Sequence, residues 1–430
     1  MGIDPPYAAL LARLFAARKA GIVFGLDRIA AVLARLGHPE RRLGLIAHLG
    51  GTNGKGSTAV MVAAMARGAG RRTALFTSPH LASLRERFVV DGVAASEDAV
   101  VAAGAAVAAA GGDALTFFEQ VTAMALVLFA DADVEVAVVE VGLGGRLDAT
   151  NVLAAPVAAV TGVALDHQEM LGADLAAIAA EKAGIFKSGQ RVVIGRAGDA
   201  AAVPWLRAAA MVAGAASVRV LDDDDVAWAP VTALGGDHQH ANAACADAIV
   251  DALEQVDSTL RVPRSVREQA LARVEHPGRL EVVGSAPTVM LDGAHNPHGA
   301  AALARALAAR PERPRVLVLA VSADKDVDGI VAPLAGVVEH AIASRYDQPR
   351  ALAPAALAAR LRAAGCRTDE EPALAAAVDR ARALAGAAGL VVVAGSLYAV
   401  GETRPRFRAM AVDPFVVSDP APTPDPAPKP

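Results

Sequence analysis

The chain has 430 residues, enough for two or three domains, and 54% of them are hydrophobic, which raises the question of a membrane protein. Much of that excess is alanine and charges interrupt every long apolar run, so no transmembrane helix is expected, and the first residues lack the basic-then-apolar pattern of a signal peptide. A net charge of −5 with 3% aromatic residues provides no basic, stacking surface and argues against nucleic acid as the main partner.

In chain order, residues 7–20 read as an amphipathic helix, and a second helix runs from Leu26 to Leu36, stopping at Gly37 with Pro39 beyond. The apolar run Leu43–Ala47 reads as a short buried strand. A glycine-rich turn follows, and Ser57–Arg67 reads as a helix. Strand, glycine loop and helix form the context of a phosphate cradle. Glycines let successive backbone N–H groups face an anion, and the helix N-terminus adds partial positive charge. Lys55 supplies a full charge toward the outer phosphates, and the Ser57 hydroxyl can reach a magnesium ion. The segment departs twice from the usual G-x-x-x-x-G-K-[ST] pattern: Leu49 stands at the first glycine, and Gly56 follows the lysine, so the hydroxyl comes one position late. The bland alternative is a turn before an ordinary helix, but a lysine between two glycines has little structural use there.

Thr73–Thr77 reads as a strand ended by Ser78-Pro79-His80, either a plain turn or a ligand-facing loop past a strand's carboxyl end. Arg85 and Arg87 precede the strand Phe88–Val90; solvated arginines are the default there. Residues 97–110 and 116–131 read as helices, the second opening on Phe117-Phe118-Glu119, with Glu119 expected as a solvated first-turn acid. The run from Val134 is rich in β-branched residues, as a central parallel strand should be, and carries Glu140 near its carboxyl end. A buried carboxylate needs a partner, and with a phosphate loop upstream that partner reads as magnesium. Gly142, Gly144 and Gly145 then open a polar loop holding Arg146, Asp148, Thr150 and Asn151.

Val157–Ala164 is a further strand with Asp166-His167 at its end. Leu175–Ala183 is a helix bearing Lys182, which composition alone makes a lysine favoured by the helix dipole. A strand over 191–195 and a helix over 200–213 follow. Asp222–Asp225 reads as a solvated turn. The helix from His238 to Leu253 places Gln239 and Asn242 on one face, and amides so placed suit an adenine edge or simply start a helix. Cys245 and Cys366 match no metal spacing and read as free thiols in a reducing cytoplasm. Pro277-Gly278-Arg279 is a turn into a strand. A second α/β unit then begins, with a domain boundary expected within 281–287. Its strand Thr288–Leu291 ends in Asp292-Gly-Ala-His-Asn-Pro297, and strands at 315–321, 338–344 and 389–394 alternate with helices, implying a parallel sheet. The fold class is therefore α/β with two domains: an N-terminal P-loop ATPase-like parallel-sheet domain over 1–284 and a smaller Rossmann-like domain over 285–412. The proline-rich segment 413–430 is expected to be disordered and non-catalytic.

The variant loop Gly51-Thr-Asn-Gly-Lys-Gly-Ser57, taken with Asp292–Pro297, resembles the Mur ligase superfamily, and most of all its folylpolyglutamate synthase and dihydrofolate synthase branch. The weaker motifs at Thr77–Leu81, Glu140–Gly145, Asp166-His167, Glu181–Lys187, His238–Asn242, Asp324-Lys-Asp326 and Gly395-Ser396 keep the family's order over about residues 24–412. The resemblance implies ATP-dependent amide formation on folates with magnesium, two ions in all, from dihydropteroate or a reduced folate and L-glutamate. It places Gly51, Thr52, Asn53, Gly54, Lys55, Gly56, Ser57, Asn242, Arg279 and Asp292 around the nucleotide. Ser57, Ser78, Glu140 and His167 go around the metal. Phe117, Asp148, His295 and Ser396 go near the acceptor and the incoming glutamate. Lys55, Asp292, His295 and Lys182 carry the catalytic roles, Lys182 as a lysine that the family can carbamylate to support a second magnesium. It also implies a monomeric cytoplasmic enzyme whose two domains close over an acyl phosphate. A muramyl-peptide ligase would carry a separate domain ahead of the loop, where some 45 residues stand here, and a P-loop switch would not need Asp292–Pro297.

Overall fold

The computed structural model describes residues 4–17, 21 and 23–414. They form two compact units: residues up to Thr232 with His240–Val274 and the segment from Asp413, and Ala233–Gln239 with Glu275–Val412.

The first unit is built on eight strands: β1 Leu45–Gly50, β2 Thr73–Phe76, β3 Phe88–Val90, β4 Val93–Ala94, β5 Val136–Glu140, β6 Val157–Val160, β7 Arg191–Ile194 and β8 Ser217–Val220. Their order is β4-β3-β2-β5-β1-β6-β7-β8. The pairs from β2 to β8 are parallel, and only β3 and β4 run antiparallel at one edge. The central strand β5, Val-Ala-Val-Val-Glu, is buried at every residue, as a strand covered by helices on both faces must be. Its register sets Glu140 beside Leu49 of β1. The first helix, Pro5–Ala17, buries Tyr7, Leu10, Leu11 and Leu14, while residues 18–20 of the expected helix lie outside the described residues.

The second unit has β9 Glu281–Ser285, β10 Thr288–Leu291, β11 Arg315–Leu319, β12 His340–Arg345, β13 Thr368–Ala373 and β14 Leu390–Ala394, in the order β13-β12-β11-β14-β10-β9. All neighbours are parallel except β9, which pairs antiparallel with β10. That hairpin moves the expected boundary. The range 281–287 falls inside a paired strand and its turn, so the second unit already includes Glu275.

Other differences have local causes. The first strand runs Leu45–Gly50 rather than 43–47, and the helix after the loop starts at Lys55, two residues before the expected Ser57. Strands β8 and β13 lacked an apolar signal because they are half-exposed sheet edges. The run Asp222–Asp225 is the cap and first turn of a helix, Asp223–Trp228, with Asp222 and Asp225 in a reciprocal capping box. The segment after Val412 does not begin as a loose tail. Asp413 is only 6% exposed and bonds within the first unit, while residues 415–430 lie outside the described residues.

Candidate functional site

The carboxyl ends of four adjacent parallel strands in the first unit, in the order β2, β5, β1, β6, carry Ser78, Glu140, the glycine loop and Thr161. Such strand ends are where open α/β sheets present groups to ligands. After β1 the chain turns through Gly51 at φ +142° and Gly54 at φ +84°. A Cβ on Gly51 would lie 2.1 Å from the Thr161 hydroxyl, and one on Gly54 would lie 2.2 Å from Asn242 Oδ1, so both positions require glycine on two counts. Asn242 thus packs on the loop.

Thr161 Oγ1 donates to Asn53 O at 2.6 Å, and the Thr52 hydroxyl bridges Ala164 O and Ala164 N–H. The loop is therefore held by its own hydroxyls and by the segment after β6. Thr161 was not singled out from sequence, because the apolar run Val157–Ala164 puts it inside the expected strand; the strand stops at Val160, which leaves Thr161 just past its carboxyl end.

The helix Lys55–Gly68 starts directly from Gly54 with no side-chain cap, and its internal ladder begins with Thr58 N–H to Gly54 O. Some helices are closed by Ser96, Thr116, Asp174 or Asn296, while those from Asp27, Val203, Arg264, Pro354 and Leu374 also start without a side-chain cap; what sets this one apart is that it follows a glycine turn and opens on a lysine. An uncapped first turn carries amides without an intrahelical acceptor and the positive end of the helix dipole. Lys55 Nζ curls back to Gly51 O at 3.0 Å and Thr52 O at 3.3 Å.

Lys182 Nζ donates to the same Gly51 O at 3.0 Å. This lysine is 4% exposed. Burial, then the charge of Lys55, lowers its pKa to about 7, against the opposing pull of Asp166 and Asp148. The dipole-favoured surface lysine of the sequence reading is thus a buried amine titrating near neutrality. Between pH 7 and 10.5 the unfolded chain holds this proton and the folded chain does not, so this group makes the fold more stable as pH rises. The stability gap between the native protein and Lys182→Met, from urea unfolding at pH 7 and 9, should therefore move in favour of the native protein by roughly one kcal/mol per pH unit. A pH-independent gap would refute the lowered pKa.

Glu140 is 4% exposed, and its Oε2 accepts the Ser78 N–H at 3.0 Å, so these two metal-side candidates are in contact. Ser57 lies in the first turn of the loop helix, also buried. His167 is not at the end of a strand. Strand β6 stops at Val160, and His167 sits further on at φ 51°, preceding the short helix Gln168–Leu171, with its N–H on Asp166 Oδ1. Among the described residues no three His, Cys, Asp or Glu side chains gather into a metal cluster. A buried carboxylate at a strand end, with hydroxyl-bearing Ser78 and Ser57 on the loops after the neighbouring strands, is an oxygen donor set of the kind magnesium takes, with water completing the shell. The residues therefore fit that ion.

Two expected substrate residues have other occupations. Phe117 is fully buried, with the Arg87 guanidinium 5.4 Å from its ring centroid, and it is Phe118 whose ring covers Gly142. Asp148 is buried too: Oδ2 accepts Leu143 N–H and Oδ1 accepts Thr150 N–H, with burial raising its pKa. His48 Nε2 meets the Thr150 hydroxyl at 2.8 Å. Asp148 thus folds the loop after Glu140 rather than offering it a free carboxylate. Glu119 is not solvated either. It caps its helix with Thr116 and pairs with Arg28 at 2.9 Å. Arg87, read by default as solvated, is fully buried and donates to His80 Nδ1 at 2.9 Å.

In the second unit, adjacent strands β10 and β14 bring Asp292 and Ser396 to one sheet edge. Asp292 Oδ2 accepts Leu280 N–H and Oδ1 accepts Ala294 N–H, both at 2.9 Å. Burial raises its pKa, and Arg279 opposes that. Arg279 lies against Gly293, where an added Cβ would meet its Nη1 at 2.5 Å. His295 Nδ1 lies 2.7 Å from Gly293 O. A carbonyl only accepts, so in the neutral ring Nδ1 carries the hydrogen and Nε2 the lone pair. Ser396 caps the helix Leu397–Thr403 through Tyr398 N–H. Beside it, the Tyr346 hydroxyl meets Ser322 Oγ at 2.6 Å, a buried pair that no sequence motif signalled.

Residues 49–211 match the model of the Mur ligase middle domain, and residues 278–397 match that of the Mur ligase glutamate ligase domain. The dihydrofolate synthase/folylpolyglutamate synthase of Mycobacterium tuberculosis is 41% identical over 375 residues, covering 77% of this chain and 76% of that protein. The solved Mycobacterium tuberculosis folylpolyglutamate synthase complexed with ADP superposes with a TM-score of 0.86 at 36% identity, covering 94% of this chain and all of that one. The bifunctional folylpolyglutamate synthase/dihydrofolate synthase from Yersinia pestis, complexed with AMPPNP and Mn ion, gives 0.82 at 31% identity over 94% and 98% of the two chains.

Proposed function

The chain belongs to the dihydrofolate synthase/folylpolyglutamate synthase family of Mur ligases, and on that premise we propose that it joins L-glutamate to dihydropteroate, to reduced folates or to both, at the expense of ATP. No described helix is long and apolar enough to cross a membrane, and we take the enzyme to be a cytoplasmic monomer acting on small molecules alone.

The observation that carries the reading is the uncapped helix start at Gly54–Lys55, with Lys55 and Lys182 on one loop carbonyl. A carboxylate and an amine do not condense at neutral pH, because oxide is a poor leaving group. The acceptor carboxylate instead attacks the γ-phosphorus and ADP departs. The glutamate nitrogen then attacks the acyl carbon, phosphate leaves and the amine gives up a proton. Lys55 exchanges its carbonyl partners for phosphate oxygens and offsets the charge of the transferring group. Glu140, Ser78, Ser57 and His167 would hold magnesium, which supplies further charge compensation on the phosphates. Lys182, with its amine near neutrality, is in the form that reacts with carbon dioxide, which supports the carbamate role. We take Asn242, Arg279 and Asp292 to serve the nucleotide, Phe117 and Asp148 to shape the acceptor loops from beneath, and His295 and Ser396 to lie near the incoming glutamate, with the tautomer of His295 set by its Nδ1 bond to Gly293 O.

The deciding experiment is phosphate release from ATP and L-glutamate with dihydropteroate in one tube and tetrahydrofolate in another, each with product mass analysis. Glutamylated product in both makes the enzyme bifunctional, and product in one assigns a single activity. ATP hydrolysis with neither acceptor extended would overturn the folate reading.

A further inference from the structure

Asp413 follows the second unit in sequence yet makes its bonds in the first. Its carboxylate accepts the Tyr7 hydroxyl at 3.2 Å and the Leu84 N–H at 2.7 Å, and its own N–H donates to Ala82 O at 2.9 Å. It is 6% exposed. A carboxylate this buried is costly unless it is hydrogen-bonded, and here the bonds go to Tyr7 and to the backbone of one loop.

What it holds is the segment that continues from Ser78. Glu86 gathers the N–H groups of Leu81, Ala82 and Ser83 onto one carboxylate at 2.7, 3.0 and 2.9 Å. Arg87 Nε donates to His80 Nδ1, and Ser78 N–H donates to Glu140 Oε2. Residues 78–87 are thus folded on themselves and tied outward by their backbone at two places, to Glu140 at Ser78 and to Asp413 at Ala82 and Leu84, with Arg85 adding side-chain bonds to Ala95 O and Glu97. Tyr7 backs the second tie from a helix that has no other part in the site. Both ties use backbone groups of the loop, so they set where its backbone lies rather than which side chains it shows.

We propose that Asp413 is a positioning residue for the phosphate and metal end of the site, holding the loop so that Ser78 stays on Glu140. The proposal rests on the reading of Ser78 and Glu140 as metal-side groups. Displacements of about an ångström in positioning elements cost on the order of a hundredfold in rate. Asp413→Ala should therefore raise the magnesium concentration for half-maximal rate by about tenfold or more. The KM for L-glutamate should stay within about twofold. Tyr7→Phe, which removes one donor and leaves the Leu84 bond, should give a smaller shift in the same direction, about threefold, as loss of one hydrogen bond allows.

The test measures magnesium dependence, glutamate KM and the thermal midpoint on the full chain, at a temperature where each variant is folded. A lower midpoint with unchanged magnesium dependence would reduce Asp413 to a structural tie and overturn the proposal. Should Asp413→Ala not fold, an unshifted Tyr7→Phe overturns it as well. Glu140→Gln, measured alongside, separates the two ideas. If it leaves the metal requirement unmoved, the metal reading itself has failed. If it shifts the requirement and the Asp413 and Tyr7 variants do not, only the latch has failed.

Discussion

Lys55→Ala should cut glutamate ligation on the order of a hundred- to a thousandfold while leaving the fold intact. Its ammonium is bonded only to the Gly51 and Thr52 carbonyls among the bonds described; Gly51 O keeps Lys182 as a donor, and Thr52, whose carbonyl loses that donor, stays anchored through its own N–H and hydroxyl. The loop should survive the loss, and the thermal midpoint should move little. The chemistry should not survive it undiminished, because no other described cation stands in the first turn of the uncapped helix. A preorganised donor at developing charge is worth on the order of a hundred- to a thousandfold. A loss of kcat/KM of that size, about 3 to 4 kcal/mol of transition-state stabilisation, with an unchanged circular dichroism spectrum is the expected result. Normal ligation by the variant would remove the loop from the mechanism.

Glu140→Gln is the second large effect. The amide oxygen can still accept the Ser78 N–H, so the hydrogen bond that ties β5 to the loop after β2 can persist. What disappears is the negative charge at the end of a strand buried throughout. The rate at ordinary magnesium should fall on the order of a hundredfold, and part of it should return as magnesium is raised. A variant with reduced rate but unaltered magnesium dependence would assign Glu140 a structural part only. Comparing it with Glu140→Ala, which loses the acceptor as well, separates the charge from the hydrogen bond.

The parallel sheets, the glycine loop and the strand-end acid were legible because each has a short-range cause. β-Branched runs make buried parallel strands, and a lysine between glycines at a strand-to-helix turn has few other uses. What stayed hidden depends on contacts distant in sequence. Nothing near Asp148 says that both its oxygens are taken by Leu143 and Thr150. Phe117 and Phe118 are adjacent aromatics, and only packing decides that the first is core and the second lies over Gly142. The depressed pKa of Lys182 needs burial and Lys55 together, and neither is written in the residues around it. The boundary was misplaced because a hairpin, β9 with β10, joins strands across a Pro-containing turn that reads as a linker.

The bond between Tyr7 and Asp413 spans 406 positions of sequence. Closing a loop of that length costs little more entropy than closing one a quarter as long, about 1 kcal/mol, so distance alone does not make the contact weak. It does make it late. A ribosome finishing this chain has already released every strand of the first unit's sheet before residue 413 emerges. A nascent chain can then build that sheet while the Tyr7 hydroxyl still lacks its carboxylate, and this bond of the first unit is made only after the second unit has been synthesised. A chain cut between the last strand of the second unit and Asp413 would carry every strand of both sheets and a first helix still packed through Leu10, Leu11 and Leu14, but the Tyr7 hydroxyl and the Leu84 N–H would lack their carboxylate.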